Sequence, residues 1–95
     1  MSQNTSIRLR VNYTGRVQGV GFRATTKDLA QGRDVSGWVR NDADGGVTLE
    51  VQGSVAETKA VLDAVRTTLR RNIATESSIE IPLVPDEPPG VRIAR

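Results

Sequence analysis

The chain has 95 residues and a mass of 10.3 kDa, the size of one domain, which excludes a multidomain machine. It contains no cysteine and no histidine, which excludes a disulfide framework, a thiolate zinc site and histidine general-base catalysis. Residues 1–40 carry seven basic and two acidic residues, whereas residues 41–95 carry six and nine, so an anionic partner is expected in the first part.

The first predicted elements are a strand and a helix joined by a glycine-rich loop. Residues 7–13 alternate apolar and polar side chains, the period expected of a strand with one buried and one solvated face. Residues 15–23, GRVQGVGFR, contain three glycines and predict a compact loop. Apolar positions at helical spacing then predict a helix over residues 22–31, capped by Gly32. Residues 1–5 are expected to be disordered.

A β-hairpin is predicted next. Val35–Asn41 and residues 47–51 are rich in β-forming residues, and they flank residues 42–46, where Asp44 and a following glycine suit a turn with positive φ. The acidic pair Asp42 and Asp44 raises the alternative of a calcium site. However, the spaced acidic ligands and terminal Glu of a calcium loop are absent, so the turn is favoured.

The second helix has the clearest signal. Ser54 and Glu57 form a Ser-x-x-Glu capping box, and the apolar residues that follow recur on one helical face as far as Leu69. The boundaries of this helix are therefore predicted from both the cap and the apolar periodicity.

Two strands are predicted after this helix. Residues 78–84 alternate in hydropathy, with Pro82 marking an edge position, and residues 91–93 form a short final strand. The order predicts an α+β fold: a ferredoxin-like βαββαβ sandwich with an antiparallel sheet, two helices on one face and a short C-terminal strand. Residues 1–95 are expected to form a single domain.

The two helices differ at their N-termini. Ser54 can cap the second helix, but the approach to the first, residues 18–21, has no Ser, Thr, Asp or Asn, and Arg23 adds a cation where the helix dipole is already positive. A bound anion would reverse both penalties, so residues 17–23 are a candidate oxyanion site. The alternative, a glycine turn with a solvated arginine, stays open.

Two other functional interpretations carry less weight, and Trp38 is given no chemical role. Residues 19–24 fit the dinucleotide-binding pattern GxGxxA, but a hairpin follows where that fold needs parallel strands. Arg8 and Arg10 could contact nucleic acid, but the stacking aromatic residues of sheet-based RNA binders are missing, so a solvated strand face is expected. Trp38 is expected to be a core residue or a partial cover for the sheet.

The blocks GRVQGVGFR and GWVRN, residues 15–23 and 37–41, are complete, and in them the chain resembles the acylphosphatases. The resemblance covers nearly the whole chain and implies the same fold. It implies hydrolysis of a small-molecule acyl phosphate to a carboxylate and inorganic phosphate, without metal or cofactor. It also implies that Arg23 and a phosphate-binding loop hold the phosphoryl group and that Asn41 orients the attacking water. The loop residues are Val17, Gln18, Gly19, Val20, Gly21 and Phe22.

Three positions depart from the family pattern: Thr25 replaces a frequent aromatic residue, Gly46 replaces a usual Ser or Thr, and Pro82 is expected to interrupt the fourth strand.

The main rival function is a non-catalytic anion-binding or regulatory module on the same fold. Asn41 separates the two, because a binding module has no use for a water-orienting amide. An RNA-binding module is disfavoured by a net charge of only +2.

The sequence also leads to expectations about location and assembly. No segment approaches the ~20 consecutive apolar residues that cross a bilayer, and the start lacks a signal-peptide pattern, so a cytoplasmic protein is expected. A proline-marked edge strand and the lack of an obvious apolar surface run favour a monomer. Inorganic phosphate is expected to act as product and inhibitor, and neither nucleic acid nor membrane is an expected partner.

Overall fold

In the computed structural model, which describes residues 5–95, a five-stranded sheet is covered on one face by two helices. For residues 1–4, the prediction of a disordered N-terminus lies outside the described residues. The strands are β1 (Ser6–Gly15), β2 (Val35–Asn41), β3 (Val47–Ser54), β4 (Ile73–Ile81) and β5 (Gly90–Ile93), and the helices are α1 (Phe22–Ala30) and α2 (Val55–Thr68).

The sheet has the strand order β4-β1-β3-β2-β5, and the predicted ferredoxin-like fold is confirmed. β1 pairs antiparallel with β3 and β4, and β2 pairs antiparallel with β3. The expectation of a wholly antiparallel sheet is wrong for β5, which runs parallel to β2 and makes the sheet mixed. The C-terminal end of β4 and the N-terminal end of β2 lie at the same end of the strands. The chain crosses the sheet at that end to the opposite edge, so β5 starts beside the start of β2 and runs in the same direction.

The core lies between the helices and one face of the sheet. Tyr13 of β1 and Phe22 of α1 are buried there with their ring centroids 5.0 Å apart, and they join the sheet to the start of α1. Most of the remaining core is aliphatic, as expected from a chain with three aromatic residues. None of the helices in residues 5–95 is long and apolar enough to cross a membrane.

The helix ends agree largely with the sequence patterns. Ser54 Oγ accepts a hydrogen bond from Glu57 N at 3.1 Å, which confirms the predicted N-cap. The Glu57 carboxylate accepts from Asp34 N at 3.2 Å, so this side chain links α2 to the loop before β2. α1 ends at Ala30, and Gly32 adopts the left-handed conformation expected of a C-terminal glycine.

The predicted range of β4 is wrong in both directions. The strand covers Ile73–Ile81 instead of residues 78–84, so Pro82 follows the strand and does not interrupt it. The first half of β4 pairs with β1 through mainly polar residues and therefore gives no apolar alternation for sequence analysis to detect. The edge position that Pro82 suggested is confirmed by the strand order.

The prediction that Arg8 lies on a solvated face is also wrong. Arg8 is 1% exposed, and its guanidinium contacts Glu50 Oε1 at 2.8 Å and Glu87 Oε1 at 2.7 Å. Arg10, on the same face, is largely exposed, as predicted. Trp38 lies on this face half-buried, with the Arg40 guanidinium 4.8 Å from its ring, and thus acts as a partial cover for the sheet.

Candidate active site

A loop between β1 and α1 reverses the chain at the end of the sheet where β2 terminates. Val17 and Phe22, on either side of the reversal, are buried in the core and fix the loop to the domain. Between them Gly19 and Gly21 have φ values of 76° and 79°, a left-handed conformation that most other residues adopt only with strain. The two glycines therefore let the backbone turn tightly between the two buried residues.

In the part of the chain that the structure describes, no side chain caps the N-terminus of α1. Gly21 occupies the N-cap position, no acidic residue lies in the first turn, and the first helical hydrogen bond runs from Thr25 N to Gly21 O at 2.9 Å. Within residues 5–95, no backbone N–H of residues 18–22 donates a hydrogen bond to another group of the protein. These donors and the positive end of the helix dipole favour an anion at this position.

Asn41 is the last residue of β2, beside this loop. In the register it pairs with Val47 and lies on the face of the sheet that carries the helices. Arg23 lies in the first turn of α1, and both side chains are half-buried. Two residues 18 positions apart in the sequence are thus brought together by the antiparallel hairpin on one side and the helix on the other.

A cavity of about 220 Å³ lies between these elements. Arg23 and Asn41 both line it, as do four of the six residues predicted for the phosphate-binding loop, Val17, Gly19, Gly21 and Phe22. The other two loop residues do not: Gln18 turns its side chain to the β2–β3 hairpin, and the Val20 side chain is 40% exposed.

Sequence analysis missed two lining residues, Ala24 and Ile93. Ala24 directly follows Arg23 in α1, so the glycine-loop motif could have indicated it. Ile93 comes from β5, and it arrives at the cavity only because β5 pairs parallel with β2, with Val39 opposite Ile93. No local pattern around Ile93 signals that pairing.

The lining of the cavity defines the chemistry that it can support. Among residues 5–95, Arg23 is the one charged side chain that lines it, and no carboxylate or sulfur ligand from these residues does so. Within residues 5–95, no three His, Cys, Asp or Glu side chains cluster as a bound metal would require. The donors present are a guanidinium, backbone N–H groups and a carboxamide, which together suit an oxyanion and a neutral polar molecule beside it.

Comparison with known proteins agrees with this geometry. The family model described as Acylphosphatase matches residues 9–87. The chain belongs to the acylphosphatase family. Among curated acylphosphatases, it is 46% identical to that of Salinibacter ruber over 65 residues, 68% of each chain, and 38% identical to that of Haloarcula marismortui over 84 residues, 88% of each chain.

A solved structure shows the same architecture. The crystal structure of acylphosphatase from Bacillus subtilis matches with a TM-score of 0.80 and 26% identity, over 94% of this chain and 99% of that one. As an acylphosphatase, the chain is an enzyme that hydrolyses acyl phosphates to a carboxylate and inorganic phosphate.

Proposed function

We propose that Arg23 and the backbone N–H groups of residues 18–22 bind the phosphoryl group of an acyl phosphate, and that Asn41 orients the water that attacks it. The observation that carries this proposal is that Arg23 and Asn41 line one cavity at the uncapped N-terminus of α1. The site thus offers charge for the phosphoryl oxygens on one side and a neutral hydrogen-bonding amide on the other.

Arg23 and the loop bind the phosphoryl group by complementary means. The guanidinium is planar and can donate two parallel hydrogen bonds to two oxygens, while the loop N–H groups and the helix dipole stabilise the remaining negative charge. Because these groups are held by the backbone and by α1, they need little reorganisation as charge spreads over the equatorial oxygens in the transition state.

The reaction is a single displacement at phosphorus. The oxygen of water forms a bond to phosphorus, and the bond between phosphorus and the acyl oxygen breaks, with its electron pair leaving on the carboxylate. Both protons of the water end on the product, which is dihydrogen phosphate. The Asn41 amide can hold the water in line with the breaking bond, and such positioning supplies much of the catalysis in phosphoryl transfer.

The leaving group explains why no acid–base residue is needed. Carboxyl groups have pKa values near 4, so the carboxylate departs at neutral pH without receiving a proton. A chain that has no histidine can therefore catalyse this reaction through position and charge alone. We accordingly propose that the enzyme works without metal or cofactor.

The substrate is a small acyl phosphate recognised chiefly at its phosphoryl end, and inorganic phosphate, which carries the same group, is both product and competitive inhibitor. A monomer in the cytoplasm stays a prediction of the sequence.

An activity assay tests the proposed mechanism. Acetyl phosphate hydrolysis is measured with EDTA present, for the wild-type chain and for Asn41→Ala. The wild type should turn over with the chelator present, and Asn41→Ala should lose about 10²- to 10³-fold in kcat, the usual cost of a preorganised group. Abolition of wild-type activity by EDTA would overturn metal independence, and an unaffected Asn41→Ala would overturn the role of the amide.

A further inference from the structure

The side chain of Gln18 ties the phosphate-binding loop to the β2–β3 hairpin. Its Nε2 group donates to Asp42 O at 2.7 Å and to Gly46 O at 2.8 Å. These carbonyls belong to the two ends of the turn that directly follows Asn41. One carboxamide thus fixes both ends of this turn to the loop, and both of its hydrogen bonds run between the two segments instead of within either one.

The turn itself is held firmly from its other side. Asp42 N donates to Gly46 O at 2.9 Å, and the Asp42 carboxylate accepts from Thr48 Oγ1 at 2.6 Å and from Arg40 Nε at 3.2 Å. These hydrogen bonds fix the backbone next to Asn41 to the rest of the hairpin. These hydrogen bonds do not determine the position of the hairpin turn relative to the phosphate-binding loop.

Within residues 5–95, the two hydrogen bonds of Gln18 are the only ones that join residues 16–22 to the hairpin. The backbone N–H of Gln18 is also one of the donors proposed to hold the phosphoryl group. The same residue would thus contact the phosphoryl group through its main chain, and its side chain contacts the hairpin that carries Asn41.

We infer that Gln18 is a positioning residue, which sets the place of the Asn41 carboxamide, and of the water it holds, relative to the phosphoryl group. This inference rests on the proposed function, because it assigns Gln18 a role only through Asn41. A displacement of about 1 Å between reacting groups can cost ~10²-fold in rate. Loss of the side-chain donor should therefore lower kcat and leave phosphate binding, which uses the backbone and Arg23, largely intact.

The test is a double-mutant cycle of Gln18→Met and Asn41→Ala, with kcat for acetyl phosphate and the inhibition constant of inorganic phosphate measured for each variant. Met is similar in length to Gln and has no N–H to donate. Gln18→Met should lose about 10- to 100-fold in kcat with a phosphate inhibition constant within about threefold of the wild type. The double variant should be no slower than Asn41→Ala alone, because Gln18 acts through Asn41.

Other outcomes overturn the inference. Wild-type kcat in folded Gln18→Met would remove the positioning role, and losses that multiply in the double variant would mean that Gln18 acts independently of Asn41. Equal weakening of kcat and phosphate binding would mean that Gln18 only shapes the loop. If Gln18→Met does not fold, Gln18→Leu, which is also uncharged and has no side-chain N–H donor, replaces it in the same cycle.

Two controls separate this inference from the proposed function. Gln31→Met makes the same substitution at an exposed position after α1 and should keep wild-type kcat. If Asn41→Ala is as active as the wild type, the proposed function fails; if only Gln18→Met is, that function stands and the positioning role alone is overturned.

Discussion

The Glu87 carboxylate lies against the guanidinium of Arg8, with Oε1 2.7 Å from Nη1, on the face of the sheet opposite the helices. Both side chains are buried, at 4% and 1% exposure. Arg92 of β5 also contacts Glu87, at 3.0 Å. Glu87 belongs to residues 82–89, which carry the chain from β4 to β5, so this ion pair holds the crossing segment and, through it, the strand that contributes Ile93 to the cavity.

Glu87→Ala should strongly destabilise the domain. Removing one partner of a buried ion pair typically costs about 3–5 kcal/mol, because the other charge is left uncompensated. Arg8 keeps its contact with Glu50, so we expect the lower end of this range, about 3 kcal/mol. Urea denaturation measures the change, with Glu80→Ala, at an exposed position of β4, as the control that should stay within about 0.5 kcal/mol of the wild type. Equal stability of the two variants would contradict the assignment.

The same carboxylate predicts how stability depends on pH. Burial would raise the pKa of Glu87, but hydrogen bonds with Arg8, Ser36 and Arg92 outweigh it and hold the pKa below its ordinary value. The Glu87 carboxyl group therefore binds a proton more tightly in the unfolded chain than in the folded one. The stabilising contribution of Glu87 is complete above its ordinary pKa and is lost as the pH falls through the lowered value.

Denaturation at a series of pH values from 7 to about 3 tests this expectation. The free energy of unfolding of the wild type should fall steeply at the acid end, and Glu87→Gln, which cannot ionise, should show a shallower fall over the same range. A parallel decline in both proteins would show that other carboxyl groups account for the acid sensitivity.

Gly46→Ser, which restores a residue type usual in the family at this position, should destabilise this chain. A Cβ atom at Gly46 would lie 2.8 Å from the Tyr13 carbonyl oxygen, which belongs to the backbone of a central strand and cannot easily move. Such overpacking typically costs about 1–3 kcal/mol. Thermal denaturation beside Ala43→Ser, at an exposed position of the same turn, measures the difference. An equal or higher melting temperature for Gly46→Ser would show that the turn can accommodate a side chain.

Arg23→Lys tests whether charge alone suffices at the site. Lysine keeps the charge but lacks the planar pair of donors, so kcat/KM for acetyl phosphate should fall by about 10²-fold, nearly as far as in Arg23→Ala. Arg70→Lys, at an exposed position after α2, is the matched control and should behave as the wild type. Near-native activity in Arg23→Lys would argue against bidentate binding.

Much of the fold could be predicted because its signals are local. The Ser54 cap, the turn at residues 42–46 and the alternation in β1 each depend on residues that are neighbours in the chain. The candidate site could be predicted for the same reason, since the glycine loop and Arg23 form one continuous motif.

The features that were missed are those set by long-range contacts. The alternation of polar and apolar residues in β1 predicts a solvated Arg8, yet Glu87, 79 positions away in the sequence, covers it. Ile93 reaches the cavity because β5 pairs parallel with β2, and no hairpin signal in the sequence predicts that pairing. The partners of the Gln18 side chain follow from the placement of two separate loops, which local periodicity does not encode.

In the proposed mechanism, Arg23 and the loop hold the phosphoryl group, whereas Asn41 acts only on the attacking water. Calorimetric titration with inorganic phosphate, combined with acetyl phosphate turnover for Arg23→Ala and Asn41→Ala, tests this division of roles. Arg23→Ala should lose both phosphate affinity and turnover, whereas Asn41→Ala should bind phosphate within a few fold of the wild type and lose turnover by about 10²-fold or more. Undiminished phosphate affinity in Arg23→Ala, or undiminished turnover in Asn41→Ala, would contradict it.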